Sequence, residues 1–554
     1  MGSIAVHQVI DHINSERLFP AAKPTEKSIP LSLVDATTVD FSTSCAIWLC
    51  EKPDLPGDGF SLFDHFRKSF EITLSAYPQW SGHLKSIMTL GRSQINQETS
   101  DFPRHALHYG RVYVHYGTTS DPGVEFITAR SSATLDTLSP ASRTREQPIY
   151  DRQTVSLHEL SPQTVIANAA RPSPPDKSGL LAPLMAVQVT QLACGGFALS
   201  AKVGHPLSDI SSLVKFAKDW AGISQWILSG SNSPAPVLDT IFEPSQLDSM
   251  AAGDINADAP DPAILKQCAS LPLNRYDWWI STEGCLWEAL IPEPYRSQDI
   301  EPIGDSMPWS EWDSKAPVSN YIVHLTREQV EIIWRDAIRG SPHESGVIRI
   351  SRHDAILAHI WSCVARARNQ HEDEGPMHCD LTLGLRPALG LDSDFIGSPS
   401  MMVNIEMTGT QLASSTISAE ERTRSIALQI RKTINHMSRP SSVAAHLHSL
   451  AFETCLQRIW QAFLGSRHLL VTSWARAGVY EVDFGLHSFP HIRYAEGVIA
   501  DLDGCVLIKE APPTGNTDAF GGGWTDNGVD VSVHIRTEDM MRLIEDPLLL
   551  PRCE

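Results

Sequence analysis

The chain has 554 residues and a formal net charge of −21 at pH 7, with 42% hydrophobic and 20% charged residues. This length is enough for two or more domains with sizeable cores, and the composition is typical of a folded globular protein. The negative charge argues against nucleic acid or an anionic membrane surface as a partner, because both would repel it.

The sequence shows no targeting or membrane segment. Its N-terminal stretch contains no continuous apolar core, so a secretory signal is not expected. No stretch approaches the ~18 uninterrupted apolar residues of a membrane-spanning helix. The 10 cysteines are scattered without a C-x-x-C pair, which is typical of reduced thiols in the cytosol. We therefore expect a cytoplasmic protein.

The N-terminal part of the chain predicts strands and a helix in alternation. Residues 44–49 form an apolar run typical of a buried strand, which ends at the Pro- and Gly-containing residues 53–57. Residues 112–116 predict a further short strand. Between them lies an apolar stripe at helical spacing, which we interpret as core, made by Leu62, Phe63, Phe66 and Phe70.

An H-x-x-x-D pentapeptide at residues 205–209 follows a predicted strand. Residues 197–203 alternate between apolar and small or polar side chains, which indicates a strand with one buried face. Gly204 permits a turn, and an amphipathic helix follows. A histidine on such a turn can be aimed at a cavity, and its ordinary pKa of ~6.5 suits proton transfer near neutral pH.

The pentapeptide also has a purely structural interpretation. Asp209 could cap the following helix by accepting bonds from backbone N–H groups, and His205 could simply be hydrogen-bonded in the turn. On these five residues alone we favour that interpretation.

The composition of the sequence changes after residue 229. Residues 230–318 are rich in Pro, Ser, Asp and Gly and show few periodic segments, so they predict a crossover between two domains. A helix follows, with Thr326 and Gln329 as a capping box and Gly340 at its C-terminal end. Ser351 is the expected cap of the next helix.

No metal or nucleotide site is expected from the sequence. His371, His378 and Cys379 lie in an acidic, turn-like stretch and lack the spacing of a tetrahedral site. Residues 521–523 form a glycine run without the spacing of a phosphate-binding loop.

A second motif lies nearer the C-terminus, where Thr-Ser-Trp at residues 472–474 precedes Asp-Phe-Gly at residues 483–485. Together with residues 205–209, this segment resembles the BAHD acyltransferases, which use coenzyme A thioesters and carry H-x-x-x-D and D-F-G-W-G signatures. The chain is most similar to fungal members such as trichothecene 3-O-acetyltransferases. Further segments that resemble the family are residues 62–84, 351–361, 385–387 and 395–397.

The second signature departs from the family pattern, because Leu486 and His487 replace its Trp and second Gly. In the family this motif is mainly structural and lies away from the proton-transfer centre. The departure therefore concerns the packing of the loop and does not exclude activity.

The resemblance implies an α/β fold of two similar domains with mixed β-sheets flanked by helices, and a tunnel between them. We predict an N-terminal domain at residues 1–229 that carries H-x-x-x-D, a crossover at 230–318, and a C-terminal domain at 319–554 that carries the Thr-Ser-Trp and Asp-Phe-Gly motifs. The segment after residue 484 is a candidate to pack back on the N-terminal domain.

The resemblance also implies a role for each site residue. His205 is the expected general base, and the Thr472 hydroxyl and Trp474 indole N–H face the developing oxyanion. Asp209 points away from the substrate and pairs with an arginine, for which Arg386 is our candidate. Asp483 is assigned to fixing its loop, and an auxiliary role in proton relay stays open.

These features predict an acyl-CoA-dependent O-acyltransferase of secondary metabolism. An acyl group, with acetyl expected, moves from acyl-CoA as cosubstrate to the hydroxyl of a small polyketide, terpenoid or alkaloid. We expect no tightly bound cofactor, no metal and a monomeric chain. An amine N-acyltransferase or a condensation-type enzyme of the same fold is one alternative, and a catalytically silent ligand-binding scaffold is another. The retention of His205, Thr472 and Trp474 argues against the scaffold.

Overall fold

The computed structural model describes residues 9–54, 57, 59–88, 96–177, 179–231, 233–280, 291–339, 348–486, 492–513 and 523–553. The strands are β1 (Ile10–Leu18), β2 (Lys27–Pro30), β3 (Ser44–Cys50), β4 (His83–Ser86), β5 (Val112–Tyr116), β6 (Val124–Ser131), β7 (Ile149–Asp151), β8 (Met185–Leu192), β9 (Phe197–Val203), β10 (Tyr276–Asp277), β11 (Val318–Leu325), β12 (Pro376–Gly384), β13 (Ser400–Thr408), β14 (Ile459–Trp460), β15 (His468–Ser473), β16 (Ile492–Gly497), β17 (Cys505–Glu510) and β18 (Val529–Arg536). The α-helices are α1 (Leu33–Thr37), α2 (Leu62–Leu74), α3 (Leu135–Leu138), α4 (Arg143–Glu146), α5 (Ile210–Leu228), α6 (Ser245–Asp248), α7 (Pro262–Ala269), α8 (Arg327–Ile338), α9 (Arg352–Ala367), α10 (Arg386–Leu389), α11 (Gly409–Ala413), α12 (Ala419–Met437), α13 (Pro440–Phe452) and α14 (Thr537–Ile544).

Two large mixed sheets organise the chain. The first has the strand order β1-β6-β8-β9-β3-β16 and is antiparallel except at β6–β8. The second has the order β13-β12-β15-β17-β18-β11-β7 and contains the parallel pairs β12–β15 and β15–β17. Helices α2 and α5 cover the first sheet, and α9 and α12 pack beside the second. The predicted α/β fold with mixed, helix-flanked sheets is confirmed.

The two sheets exchange one strand each. Strand β16, from the C-terminal part of the chain, pairs with β3 in the first sheet. Strand β7, from the N-terminal part, pairs with β11 at the edge of the second. The halves of the chain therefore interlock: after residue 484, strand β16 pairs with the first sheet, whereas β17 and β18 lie in the second. The domain boundaries at residues 229 and 318 stay a proposal.

The strands and helices predicted from capping residues and from apolar periodicity are present in the structure. The strands predicted at residues 44–49, 112–116 and 197–203 appear as β3, β5 and β9, and the apolar stripe after residue 61 appears as α2. Helix α8 begins with the predicted capping box of Thr326 and Gln329. The expected end of this helix at Gly340 lies outside the described residues. Among the described helices, none combines the length and apolar character that crossing a bilayer requires.

A buried group of charged residues joins the two sheets. Arg143 on α4 donates to Asp530 on β18 at 2.6 Å, and His324 on β11 contacts the other oxygen of Asp530 at 2.8 Å. Lys509 on β17 is fully buried and donates to the Tyr494 hydroxyl on β16 at 2.6 Å. Burial opposes ionisation of Asp530, but the Arg143 charge and the His324 bond outweigh it and hold the pKa of this carboxyl well below its usual range.

Arg143→Met should destabilise the protein by about 3–5 kcal/mol, because it leaves the Asp530 carboxylate buried beside a neutral side chain. The matched control is Arg145→Met on the same helix, where the side chain is 81% exposed. We expect that control to stay within about 0.5 kcal/mol of wild type. Chemical denaturation checks both variants.

The pH dependence of that deficit follows from the depressed pKa of Asp530. Its stabilising contribution is present above the unfolded-state pKa of ~4 and is lost as the pH falls through the folded-state value. The deficit of Arg143→Met should therefore be largest near neutral pH and should narrow in acid. A deficit that does not depend on pH would contradict this assignment.

Candidate active site

His205 sits where β9 ends and α5 begins. Gly204 closes the strand and donates its N–H to the Leu184 carbonyl at 3.0 Å, and His205–Leu207 form one 3₁₀ turn. Asp209 caps α5 by accepting the N–H of Ser212 at 3.0 Å. Asp209 therefore caps the helix, as the structural interpretation of the pentapeptide proposed.

Asp209 has a second contact that the cap alone does not explain. The guanidinium of Arg386 on α10 contacts both carboxylate oxygens, with Nη2 and Oδ1 at 3.0 Å. The same nitrogen donates to Ser212 Oγ at 2.9 Å. The predicted partnership of Asp209 and Arg386 is confirmed, and it ties the start of α5 to the segment that follows β12.

A serine holds the ring of His205. Nδ1 of His205 lies 2.9 Å from Oγ of Ser398, and Phe41 contacts the ring edge-on with centroids 5.5 Å apart. Burial lowers the pKa of His205 below its ordinary value, although the Asp209 charge acts in the opposite direction. Burial therefore favours the neutral form of the ring. In the tautomer in which Nδ1–H donates to Ser398 Oγ, Nε2 is the nitrogen that can accept a proton.

The strand register places Thr472 and Trp474 at the same end of the second sheet as Ser398, the residue that contacts His205. Strands β12 and β15 are parallel, and β13 runs antiparallel to β12 with Ser400 opposite Gly384. The carboxyl ends of β12 and β15 therefore meet the amino end of β13. Ser398 lies two residues before β13, so it lies at the end of the sheet at which β15 also ends, with β12 between the two strands.

Trp474 is fixed tightly at that end of the sheet. Its backbone N–H donates to the Ile508 carbonyl at 2.8 Å, and its side chain is 6% exposed. The ring lies against Gly497, where a Cβ atom would come within 2.8 Å of Trp474 Cη2. Thr472 is half-buried at the end of β15. These contacts fix Trp474, and Thr472 lies two residues before it on the same strand end.

Asp483 lies in a different place. Its carbonyl accepts the Gln225 amide at 2.5 Å, and Phe484 packs edge-on against Phe66 and Trp220. Gln225 follows Asp209 by sixteen residues of α5, which corresponds to about 24 Å along the helix axis. The structure does not bring Asp483 to His205, and its contacts support the loop-fixing interpretation over a proton relay.

The altered signature is adapted to its surroundings. Leu486 is 1% exposed, and its carbonyl accepts the Asp54 N–H at 2.7 Å. His487 lies outside the described residues. The substitution Leu486→Trp with His487→Gly should therefore give no gain in turnover and should cost ~1–3 kcal/mol by overpacking. Thiol-release rates and denaturation midpoints check this, and a large gain in turnover would indicate a decayed enzyme.

A cavity of about 310 Å³ lies at the same end of β9 as His205. Lys202 lines it, and its amine donates to the carbonyls of Pro162 and Thr164 at 3.2 and 2.9 Å. Burial lowers the pKa of Lys202. Other lining residues are Ser42, Thr43, Cys45, His158, Ser161, Val498, Ile499, Ala500 and Asp501.

The histidines considered for a metal site do not form one in the described part of the chain. His378 and Cys379 lie in β12 instead of the turn-like stretch expected, and His378 stacks on His468 at 4.5 Å. Across the described ranges, no three His, Cys, Asp or Glu side chains come together in a metal-binding arrangement.

The sequence interpretation missed Ser398, which directly follows the segment 395–397 that resembles the family. The available signal was the compact Phe-Ile-Gly-Ser-Pro run at residues 395–399. It also missed Asp35, which contacts Ser398; there the signal was the Ser-x-x-Asp cap of α1, formed by Ser32 and Asp35.

Comparison with known proteins adds a family and a set of relatives. A profile of the Transferase family matches residues 118–246 and 314–548, well over half of the chain. Acyltransferase AFT15-1 of Alternaria alternata is 25% identical over 550 residues, which cover 96% of each chain. Acyltransferase abl6 of Leptosphaeria maculans is 22% identical over 548 residues, which cover 98% of each.

A solved structure shares the fold. The crystal structure of F. graminearum TRI101 complexed with coenzyme A and T-2 mycotoxin matches with a TM-score of 0.62 at 13% sequence identity. The match covers 94% of this chain and 98% of that one. At this identity the likeness supports the architecture and not the substrate.

Proposed function

Because the chain belongs to the Transferase family of BAHD acyltransferases, we propose that it moves an acyl group, most simply acetyl, from acyl-CoA to a hydroxyl of a small secondary metabolite. Two fungal relatives that span nearly the whole chain carry the name acyltransferase. A neighbour of the same fold was solved with coenzyme A and a toxin. The names of the relatives support acyl transfer, and the ligands of the neighbour are the reason for choosing this donor and this acceptor class in the proposal.

His205 is the general base of the proposed reaction. Its Nε2 takes the hydroxyl proton while the acceptor oxygen attacks the thioester carbonyl. The two events are concerted because an imidazole is too weak a base to convert the alcohol into a free alkoxide first. Such proton transfer contributes ~10²–10⁴-fold. The tetrahedral intermediate then collapses, the C–S bond breaks, and the proton on Nε2 passes to the coenzyme A sulfur. No acyl-enzyme is required.

Thr472 and Trp474 stabilise the oxyanion in this proposal. The hydroxyl of Thr472 and the indole N–H of Trp474 donate to the carbonyl oxygen as it becomes negative. Removal of one such donor typically costs ~10²–10³-fold in turnover. Their placement on the end of β15 suits this role, since rigid donors need no reorganisation during the reaction.

One observation carries the proposal: Nδ1 of His205 lies 2.9 Å from Ser398 Oγ, at the end of the second sheet at which β15, the strand of Thr472, also ends. An imidazole whose Nδ1 donates to Ser398 would leave Nε2 to accept a proton, which is the arrangement that a direct general base requires. Both halves of the proposed site come from one chain, so we propose a monomer. We also propose that it acts in the cytoplasm and uses acyl-CoA as cosubstrate without a tightly bound cofactor.

The test is thiol release from acetyl-CoA with a panel of small alcohols and amines, followed by mass spectrometry of the acceptors. We expect release that depends on an alcohol and a product heavier by one acetyl group. Transfer only to amines would replace the O-acyltransferase assignment with an N-acyltransferase. Binding of acetyl-CoA with no release for any acceptor in the panel would favour a silent scaffold.

A further inference from the structure

Asp35 is a buried carboxylate that contacts the residue holding His205. It lies on α1 and is 1% exposed. Its Oδ1 accepts the backbone N–H of Ser398 at 2.7 Å, and its Oδ2 accepts the hydroxyl of Ser32 at 2.6 Å. The two oxygens thus join the start of α1 to the turn before β13.

The turn at Gly397 is fitted to this carboxylate. A Cβ atom at Gly397 would lie 3.3 Å from Asp35 Oδ1, and its φ of +154° is one that side chains rarely adopt. The Gly397 carbonyl accepts the N–H of Asp209 at 3.0 Å and the hydroxyl of Ser212 at 2.8 Å. The same two-residue turn therefore touches the capping aspartate and the base.

We propose that Asp35 is a positioning residue for the acyl transfer, which acts through Ser398 on the orientation and tautomer of His205. This inference rests on the function proposed above. When Nε2 is the base, Nδ1 carries the hydrogen and needs an acceptor, and Ser398 Oγ lies 2.9 Å from Nδ1, beside the hydrogen bond between the ring and the His205 backbone. The carboxylate holds the Ser398 backbone, and its negative charge stabilises the imidazolium that forms during the reaction.

The pKa of Asp35 lies close to neutral pH. Burial raises the pKa of Asp35 to about 7, and the nearby Asp248 carboxylate adds to the increase, although the bonds from Ser32 and Ser398 oppose it. Asp248 itself accepts the Leu33 N–H at 2.9 Å and contacts His105 at 3.1 Å. The negative charge beside the Ser398 turn is thus present above about pH 7 and lost below it.

Helix α1 packs against α6, α13, β13 and the 3₁₀ turns His205–Leu207 and Leu456–Arg458. The titratable or charged side chains on those elements are Asp248, His205, Glu406, His446, His448 and Arg458. Burial lowers the pKa of His446 to about 4, so it is neutral, and Arg458 is paired with Asp277 at 2.6 Å. Among these, Asp248 is the charge that acts on Asp35.

The main test is the pH profile of thiol release by Asp35→Asn. Asparagine keeps the shape, accepts the Ser398 N–H and donates to Ser32. We expect kcat on the high-pH plateau to fall about tenfold with KM for acetyl-CoA unchanged. The acidic limb near pH 7 should disappear and leave only the lower limb of His205. A variant with the wild-type plateau and the wild-type limb would overturn the inference.

Asp248→Asn is the matched variant, because it removes a neighbouring buried carboxylate and keeps Asp35. It should retain the plateau and move the acidic limb to lower pH, since a like charge near Asp35 is lost. If Asp35→Asn fails to fold, this variant still tests whether the charge of Asp35 sets the acidic limb. An unmoved limb in a folded Asp248→Asn protein would overturn the inference.

A readout independent of turnover separates this inference from the proposed function. The ring nitrogens of ¹⁵N-labelled histidine report the tautomer, and His205→Gln identifies the signals of His205. Above pH 7 we expect the Nδ1–H tautomer in wild type and a mixture of tautomers in Asp35→Asn. Identical tautomers in both would overturn the positioning role, whereas absence of thiol release in wild type would overturn only the proposed function.

Discussion

His205→Ala should reduce acyl transfer to less than a few per cent of the wild-type rate. The variant removes the only group placed to take the hydroxyl proton in the proposed mechanism, and such a base typically contributes ~10²–10⁴-fold. The loss should appear in kcat and kcat/KM together, since the missing interaction is made in the transition state. Thiol release with an alcohol acceptor identified in the panel measures it.

The fold should survive this change. His205 is half-buried on a 3₁₀ turn, and its side chain contacts Ser398 and Phe41 without filling the core. The melting temperature should therefore stay close to that of wild type. His371→Ala, which removes an exposed histidine, is the matched control and should keep full activity. Turnover above a few per cent in His205→Ala would remove His205 from the role of base.

The sequence was most informative where one short segment determines the structure. Alternation over residues 197–203 predicted β9, and the position of Asp209 after a turn predicted the cap of α5. Both effects act within a few residues, through side-chain direction and unpaired N–H groups. The partnership of Asp209 and Arg386 came from resemblance, because nothing local joins residues 177 positions apart.

The support of the site could not be predicted in this way. Ser398 reaches His205 across 193 positions of sequence, and Asp35 reaches Ser398 across 363. Strands β7 and β16 cross between the sheets, and pairing of that kind leaves no periodic signal in the sequence. The position of Asp483 beside the C-terminal half of α5 is likewise a result of packing, because Phe484 contacts Phe66 of α2 and Trp220 of α5.

Asp209→Ala should lose both stability and activity. It removes the cap of α5 and leaves the Arg386 guanidinium, which is 15% exposed, without its carboxylate. Breaking a buried ion pair at one partner costs about 3–5 kcal/mol. The activity should fall as well, because the turn that carries His205 loses its link to α10. Denaturation and thiol release measure the two effects on the same samples.

The share of the ion pair can be separated from that of the cap. Asp261 caps α7 from an exposed position by accepting the Ala263 N–H at 2.8 Å, so Asp261→Ala should cost only ~1 kcal/mol. In a double-mutant cycle, Asp209→Ala should be much less costly when Arg386 is already methionine, since no guanidinium is then left unpaired. Strict additivity of the two substitutions would contradict the coupling. A loss of activity in Asp209→Ala at an unchanged melting temperature would instead point to direct participation of this carboxylate in the reaction.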